Sequence, residues 1–270
     1  MPEFRDQLNR VITLNNTPKR IITIVPSQTE LLLYIGLDKE IAGITNFCVH
    51  PADKLEAIPR VGGPKQLNID KIRSLQPDLI IANKEENDRY QVELLMQIYP
   101  VWVSNVKDID SALQMIATVG DIVGRREQAK ALCAEIVSRF NIFPRTRANL
   151  NNLMVAYLIW RKPYMVAGAG TYIDHMLYTC GLINVIKQDR YPVVDQNELI
   201  RLNPSVIFLS SEPYPFGQKH IAEFNAILPN AHVMLVDGEM FSWYGSHLLL
   251  APGYLGKLIN DLNGKLISTK

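Results

Sequence analysis

The chain is poor in cysteine. Cys48, Cys133 and Cys180 are odd in number and widely spaced, which excludes a disulfide framework and a Cys-x-x-Cys metal or redox site. Long apolar runs are missing too. A membrane span needs about 18–20 apolar residues, whereas the longest candidate, Leu153 to Trp160, stops at Arg161. The N-terminus, Met-Pro-Glu-Phe-Arg-Asp, lacks the basic start and apolar core of a secretory signal, and the first apolar run, Ile21 to Val25, is interrupted by Thr23. The chain is therefore expected to be either cytosolic or already trimmed. Neither charge is in excess: 28 Lys+Arg against 27 Asp+Glu leave a net charge of +1, which supplies no global field for a nucleic-acid partner. Catalytic signatures are also lacking, with no Gly-x-Ser-x-Gly elbow, His-Glu-x-x-His pair or P-loop. Gly168-Ala-Gly170 lacks the third glycine of a dinucleotide fingerprint, and Glu30, Asp53, Asp70 and Glu198 are scattered and need no catalytic role. The sequence reads as that of no enzyme.

What is present is a large apolar content, 47% of 270 residues, enough for one large core or two of ordinary size. Strand-like and helix-like runs alternate. Arg20 to Val25 reads as a strand, and Leu31 to Ile35 as part of a helix closed by Gly36, with Ser27 and Glu30 at the spacing of a capping box. The same grammar recurs at Ile69–Leu75 into Asp78–Ala82 and again beyond residue 150, which predicts parallel α/β layers. The chain also repeats itself. Leu75-Gln-Pro-Asp-Leu-Ile-Ile-Ala-Asn-Lys-Glu85 parallels Leu202-Asn-Pro-Ser-Val-Ile-Phe-Leu-Ser-Ser-Glu212 at a constant offset of 127, and Leu32, Gly36 and Leu37 parallel Leu177, Gly181 and Leu182 at an offset of 145. Two copies of one α/β unit are the natural reading.

Between the copies, Ile109, Leu113 and Ile116, then Ala129, Leu132, Ile136 and Phe140, fall at helical steps punctuated by Gly120, Gly124 and Pro144. A helix from about Arg125 to Phe143 would reach ~30 Å, enough to span two lobes. The expected organisation is an N-terminal α/β lobe over 1–107, a helical connection over 108–146 and a C-terminal α/β lobe over 147–270, with mainly parallel sheets; the long helix either joins the two lobes or packs on one sheet.

Pro18-Lys-Arg-Ile-Ile-Thr-Ile-Val-Pro-Ser-Gln-Thr-Glu-Leu-Leu, Val61-Gly-Gly, Leu75-Gln-Pro-Asp-Leu-Ile-Ile-Ala and Gly120-Asp-Ile-Val-Gly124 together resemble the helical-backbone solute-binding proteins of ABC importers. The resemblance runs from about Arg10 to Leu262. Asn46-Phe-Cys-Val-His-Pro51, Trp160-Arg-Lys-Pro-Tyr164, Arg190-Tyr-Pro192 and Phe241-Ser-Trp-Tyr-Gly245 look most like the cobalamin-binding branch. The resemblance implies two α/β lobes joined by a single long rigid helix with a ligand in the cleft between them, no resident cofactor, a monomer, a permease as partner and a periplasmic or otherwise extracytoplasmic location if a signal was removed. The cargo it implies is a corrinoid, with haem or a ferric siderophore as the alternative. A cytosolic tetrapyrrole-handling protein or chelatase is the reading from another class.

A corrinoid offers a broad ring with polar amide edges, which flat aromatic faces and a few polar partners suit. The candidate ligand contacts are His50, Trp160 and Tyr244 and, by resemblance, Trp102, Tyr191 and Trp243, with core or surface packing as the alternative for each tryptophan. A neutral imidazole at His50 can ligate cobalt or haem iron, while a hydrogen-bonded loop histidine is the plainer reading; His247 has a less defined role. No other metal ligand stands out. Arg161, Arg190 and Tyr164 keep haem and siderophores open and suggest a mildly basic cleft. By resemblance, Glu85, Glu86 and Glu212 are candidates for docking onto permease arginines, since rim charge pairs set orientation and on-rate.

Overall fold

The computed structural model describes residues 2–143 and 153–267. They divide into two compact units, Met1–Val137 with Tyr244–His247, and Ser138–Trp243 with Leu248–Lys270. Pro144 and the expected boundary at 146/147 lie outside the described residues. Among those residues, no helix is long and apolar enough to cross a membrane.

The first unit is built on a four-stranded parallel sheet in the order Ile41–Ile44, Ile21–Thr23, Leu79–Asn83 and Val101–Ser104. Three of these strands are buried at every position, as a parallel sheet covered on both faces requires. Helices are started by side-chain caps: Asn68 accepts from the Lys71 amide, Asp88 from Gln91 and Asp108 from Ser111.

The helix Pro26–Tyr34 departs from expectation at its start. Val25 is its N-cap, no side chain caps it and Pro26 opens the first turn, so the Ser27/Glu30 capping box does not form. Its end is as expected. Gly36 has φ +87°, its amide bonds the Leu33 carbonyl, and the Leu37 amide reaches back to Leu32.

In the second unit, Met154–Trp160, Val206–Ser210 and His232–Val236 run parallel, while Tyr164–Val166 and Val193–Val194 extend the sheet antiparallel. The internal repeat is visible in the backbone. The helix Ile69–Leu75, capped by Asn68, ends on left-handed Gln76 (φ 46°, ψ 60°) and leads to the strand Leu79–Asn83. The helix Gln196–Leu202, capped by Asp195, ends on left-handed Asn203 (φ 45°, ψ 57°) and leads to Val206–Ser210. The second match holds at Gly181, whose φ of +78° and flanking bonds from Gly181 to Tyr178 and from Leu182 to Leu177 repeat the turn at Gly36.

Two helices follow the first sheet, Ile109–Ile122 and Arg126–Ile142. They pack closely because Gly120 has no side chain: a Cβ there would lie 2.3 Å from that of Ala129. The second helix matches the expected one, and the division between units falls within it.

Candidate functional site

In parallel α/β sheets, ligand sites form in loops beyond the carboxyl ends of the strands. In the first unit, three strands feed such loops: Ile21–Thr23 into the helix Pro26–Tyr34, Ile41–Ile44 into residues 45–51, and Leu79–Asn83 into residues 84–88. The 45–51 loop is pinned from within. Cys48 is buried with Sγ 3.1 Å from Thr29 Oγ1 and 3.3 Å from Thr45 Oγ1, and Arg60 Nη1 donates to the carbonyls of Thr45 and Cys48. Burial pushes the Cys48 thiol pKa up. With Cys48 turned inward, its neighbours Phe47 and Val49 stand 61% and 46% exposed. Half-buried His50 follows, its ring stacked on His247 with centroids 5.9 Å apart and planes at 27°. His247 is buried, with Nδ1 3.1 Å from Glu30 Oε2. Gly63 lies beneath Phe47, where a Cβ would come within 3.2 Å of the ring.

The 84–88 loop is shaped by two buried asparagines. Asn83 Oδ1 accepts from the amides of Glu85 and Glu86, while Asn87 Oδ1 accepts from the Asn83 amide and Asn87 Nδ2 donates to the Ile24 carbonyl. The Tyr244 hydroxyl, on the segment that returns to this unit, donates to Glu86 Oε1 at 2.8 Å.

The second unit carries a comparable carboxylate. Glu212, just past Val206–Ser210, accepts through Oε1 from Trp243 Nε1 at 2.9 Å and from Ser242 Oγ at 2.7 Å. Gly238 makes room for it, since a Cβ there would lie 2.5 Å from Glu212 Cγ. Burial pushes the Glu212 pKa up, and nearby Glu239 and Asp237 add to this against the two hydrogen bonds. Elsewhere in the unit Arg161 Nε pairs with Glu223 Oε2 at 2.9 Å, and the Tyr164 hydroxyl donates to Glu223 Oε1 at 2.7 Å. Against burial, which pushes it up, these two partners hold the Glu223 carboxyl below its usual value. Among the described residues no group of three His, Cys, Asp or Glu side chains is arranged to hold a metal ion.

The model of the family described as periplasmic binding protein matches residues 21–226, most of the chain. The chain belongs to that family. It is 25% identical over 202 residues to the vitamin B12-binding protein of Vibrio cholerae serotype O1, a match covering 74% of this chain and 73% of that protein. The structure of the periplasmic vitamin B12 binding protein of Vibrio cholerae matches with a TM-score of 0.78 at 22% identity, covering 91% of this chain and 98% of the other. The periplasmic heme-binding protein of Roseiflexus sp. RS-1 matches with a TM-score of 0.77 at 19% identity, covering 91% and 99%. These likenesses establish the fold, two α/β lobes with parallel sheets, and the family is one of binding proteins rather than catalysts.

The expected contact residues of this periplasmic binding protein separate into groups. Trp102 requires a correction: it is fully buried in the strand Val101–Ser104, with its indole donating to the Arg5 carbonyl of the N-terminal hairpin Glu3–Arg5/Val11–Thr13. It is a core residue because that hairpin, which the sequence reading overlooked, covers it. Trp243 and Tyr244 are also buried, and their polar atoms hold Glu212 and Glu86. Trp160 is 39% exposed and meets Tyr214 edge to face at 5.6 Å. Tyr191 is half-buried just before Val193–Val194. Glu85 lies 3.9 Å from Lys84 Nζ. The mildly basic character expected of Arg161 gives way to a closed ion pair with Glu223. Sequence reasoning passed over Glu30, which holds His247, and Phe47 and Val49; two large apolar residues flanking a cysteine in a loop was the signal available for the latter.

Proposed function

We propose that this protein binds a corrinoid and delivers it to an ABC importer. The observation that carries the reading is the chemistry of the strand-end loops. In the first unit the helix after Ile21–Thr23 carries Glu30, and the 84–88 loop carries Glu86, whose Oε1 accepts from the Tyr244 hydroxyl. A corrinoid ring is rimmed by uncharged amides whose N–H groups suit carboxylate acceptors, whereas haem propionates and ferric siderophores bring negative charge, which such loops disfavour. Exposed Phe47 and Val49 offer apolar surface to a ring face. The relatives named as vitamin B12-binding proteins support the same cargo. Haem is the second reading, favoured by the similarity to a heme-binding protein of the same fold.

The partner that follows is an importer permease, the compartment is extracytoplasmic, and the protein acts as a monomer without a resident cofactor. Calorimetric titration with cyanocobalamin, haemin and a ferric siderophore tests the cargo. Saturable heat with cyanocobalamin is expected; saturation with haemin and none with cyanocobalamin would replace the corrinoid by haem.

A further inference from the structure

A carboxylate can take only the N–H half of an amide edge. The second unit offers a partner for the carbonyl half. Tyr214 follows the strand Val206–Ser210, and its amide donates to the Ile159 carbonyl near the end of Met154–Trp160. Its half-buried ring meets those of Trp160, Phe216 and His220 edge to face, with centroids 5.6, 4.7 and 5.5 Å apart, so it has little freedom to turn.

The hydroxyl oxygen of Tyr214 is already supplied with donors. Buried His220 accepts the Gly217 amide at Nδ1, 2.9 Å away, which leaves the hydrogen of the neutral imidazole on Nε2. Nε2 lies 3.3 Å from the Tyr214 hydroxyl and is therefore the donor in that contact. Arg161, whose guanidinium can only donate, is a second hydrogen-bond partner of Tyr214. The phenolic hydrogen is thus left without an acceptor among the described residues. The charge of Arg161 is met by Glu223, and exposed Trp160, Pro213 and Pro215 border the phenol with apolar surface. A fixed, uncharged donor beside flat apolar surface suits a neutral acceptor on the edge of a ring, because it satisfies an amide carbonyl without the net positive charge that would favour a carboxylate.

We infer that the Tyr214 hydroxyl donates a hydrogen bond to an amide carbonyl on the ring edge of the bound corrinoid. The inference rests on the corrinoid reading and adds to it a recognition residue in the second unit.

The test uses the full chain with cyanocobalamin and with dicyanocobinamide, which keeps the ring-edge amides and lacks the nucleotide. Tyr214→Phe retains the aromatic packing and removes the hydroxyl. In calorimetry the variant should bind both corrinoids about three- to tenfold more weakly, the range for one neutral hydrogen bond. A second measurement separates contact from support of the fold. With tyrosine isotope-labelled at Cζ, the NMR signal that is missing from the variant should be single for the free parent in mixed light and heavy water and split on saturation with either corrinoid, because a hydroxyl held by an acceptor exchanges its hydrogen slowly. Unchanged affinity in Tyr214→Phe, or a weaker variant with a Tyr214 signal that cargo does not split, overturns the contact and leaves the corrinoid reading standing. A loss confined to cyanocobalamin would put the contact on the nucleotide and overturns the ring-edge assignment. If the parent protein binds neither corrinoid, the corrinoid reading itself fails, and this inference with it.

Discussion

Tyr244 and Glu212 show how single polar atoms are used in this protein. The Tyr244 hydroxyl reaches a carboxylate from a side chain that is otherwise buried. A hydrogen bond to a charged group contributes about 1.5–3 kcal/mol, so Tyr244→Phe should lower stability by an amount in that range, read as a shift of the urea midpoint with an unchanged slope. Glu212 behaves differently. Its pKa is raised above the ordinary 4.5, so the native state binds the proton more readily than the unfolded chain does. The stability tied to this group is fully present below the unfolded value and declines as pH rises through the folded one. Glu212→Gln keeps an oxygen acceptor for Trp243 and Ser242 but removes the charge. The variant should gain on the parent progressively as pH rises above the ordinary carboxylate value, measured by thermal unfolding over a pH series; an unchanging difference would show that burial of the charge is not the cause. At this scale the sequence was only partly legible. The importance of Glu212 was visible from the repeat, but its inward partners come from residues 30 positions on, and no local pattern announces them. Trp102 misled for the same reason: a tryptophan on a strand is core or contact according to what covers it, and its cover is the N-terminal hairpin.

Elements were far more legible, because periodicity, caps and left-handed turns are local. The pair Gln76 and Asn203, each before a proline, marks equivalent helix ends in the two copies down to their dihedral angles. The misreading at Pro26–Tyr34 has a physical basis: proline in the first turn has no N–H to satisfy, so the helix starts without a side-chain cap and Glu30 is left for His247. Gly120 shows packing overruling propensity. In an exposed helix interior, Gly→Ala is worth up to about 1 kcal/mol of added stability. Here the new methyl would meet Ala129, and overpacking of this kind costs about 1–3 kcal/mol. Gly120→Ala should therefore destabilise, detected as a lower thermal midpoint; a rise would mean that the two helices separate at little cost.

For the molecule as a whole, two α/β lobes and the family were within reach of the sequence, since a repeat and an ordered set of motifs survive without knowledge of packing. The proposed docking of carboxylates onto a permease is a matter of surface geometry, which no local sequence pattern encodes. Glu86 and Glu212 are engaged by Tyr244, Ser242 and Trp243, so charge reversal there would disturb the fold as well as any docking. Glu85, beside Lys84, is the more discriminating test. Glu85→Lys should weaken association with the importer and leave cargo affinity intact, as measured with permease in detergent; unchanged association would remove Glu85 from the docking role.

The return of Tyr244–His247 to the first unit also gives the site an order of assembly in time. Val137 leaves the ribosome well before these four residues are made, and residues 138–243 take roughly 5–20 s to add at about 5–20 residues per second. Throughout that interval the nascent first lobe has His50 without His247 and Glu86 without Tyr244. A half-made chain thus lacks both of these contacts, and the surroundings of the 45–51 and 84–88 loops are complete only when synthesis is nearly over.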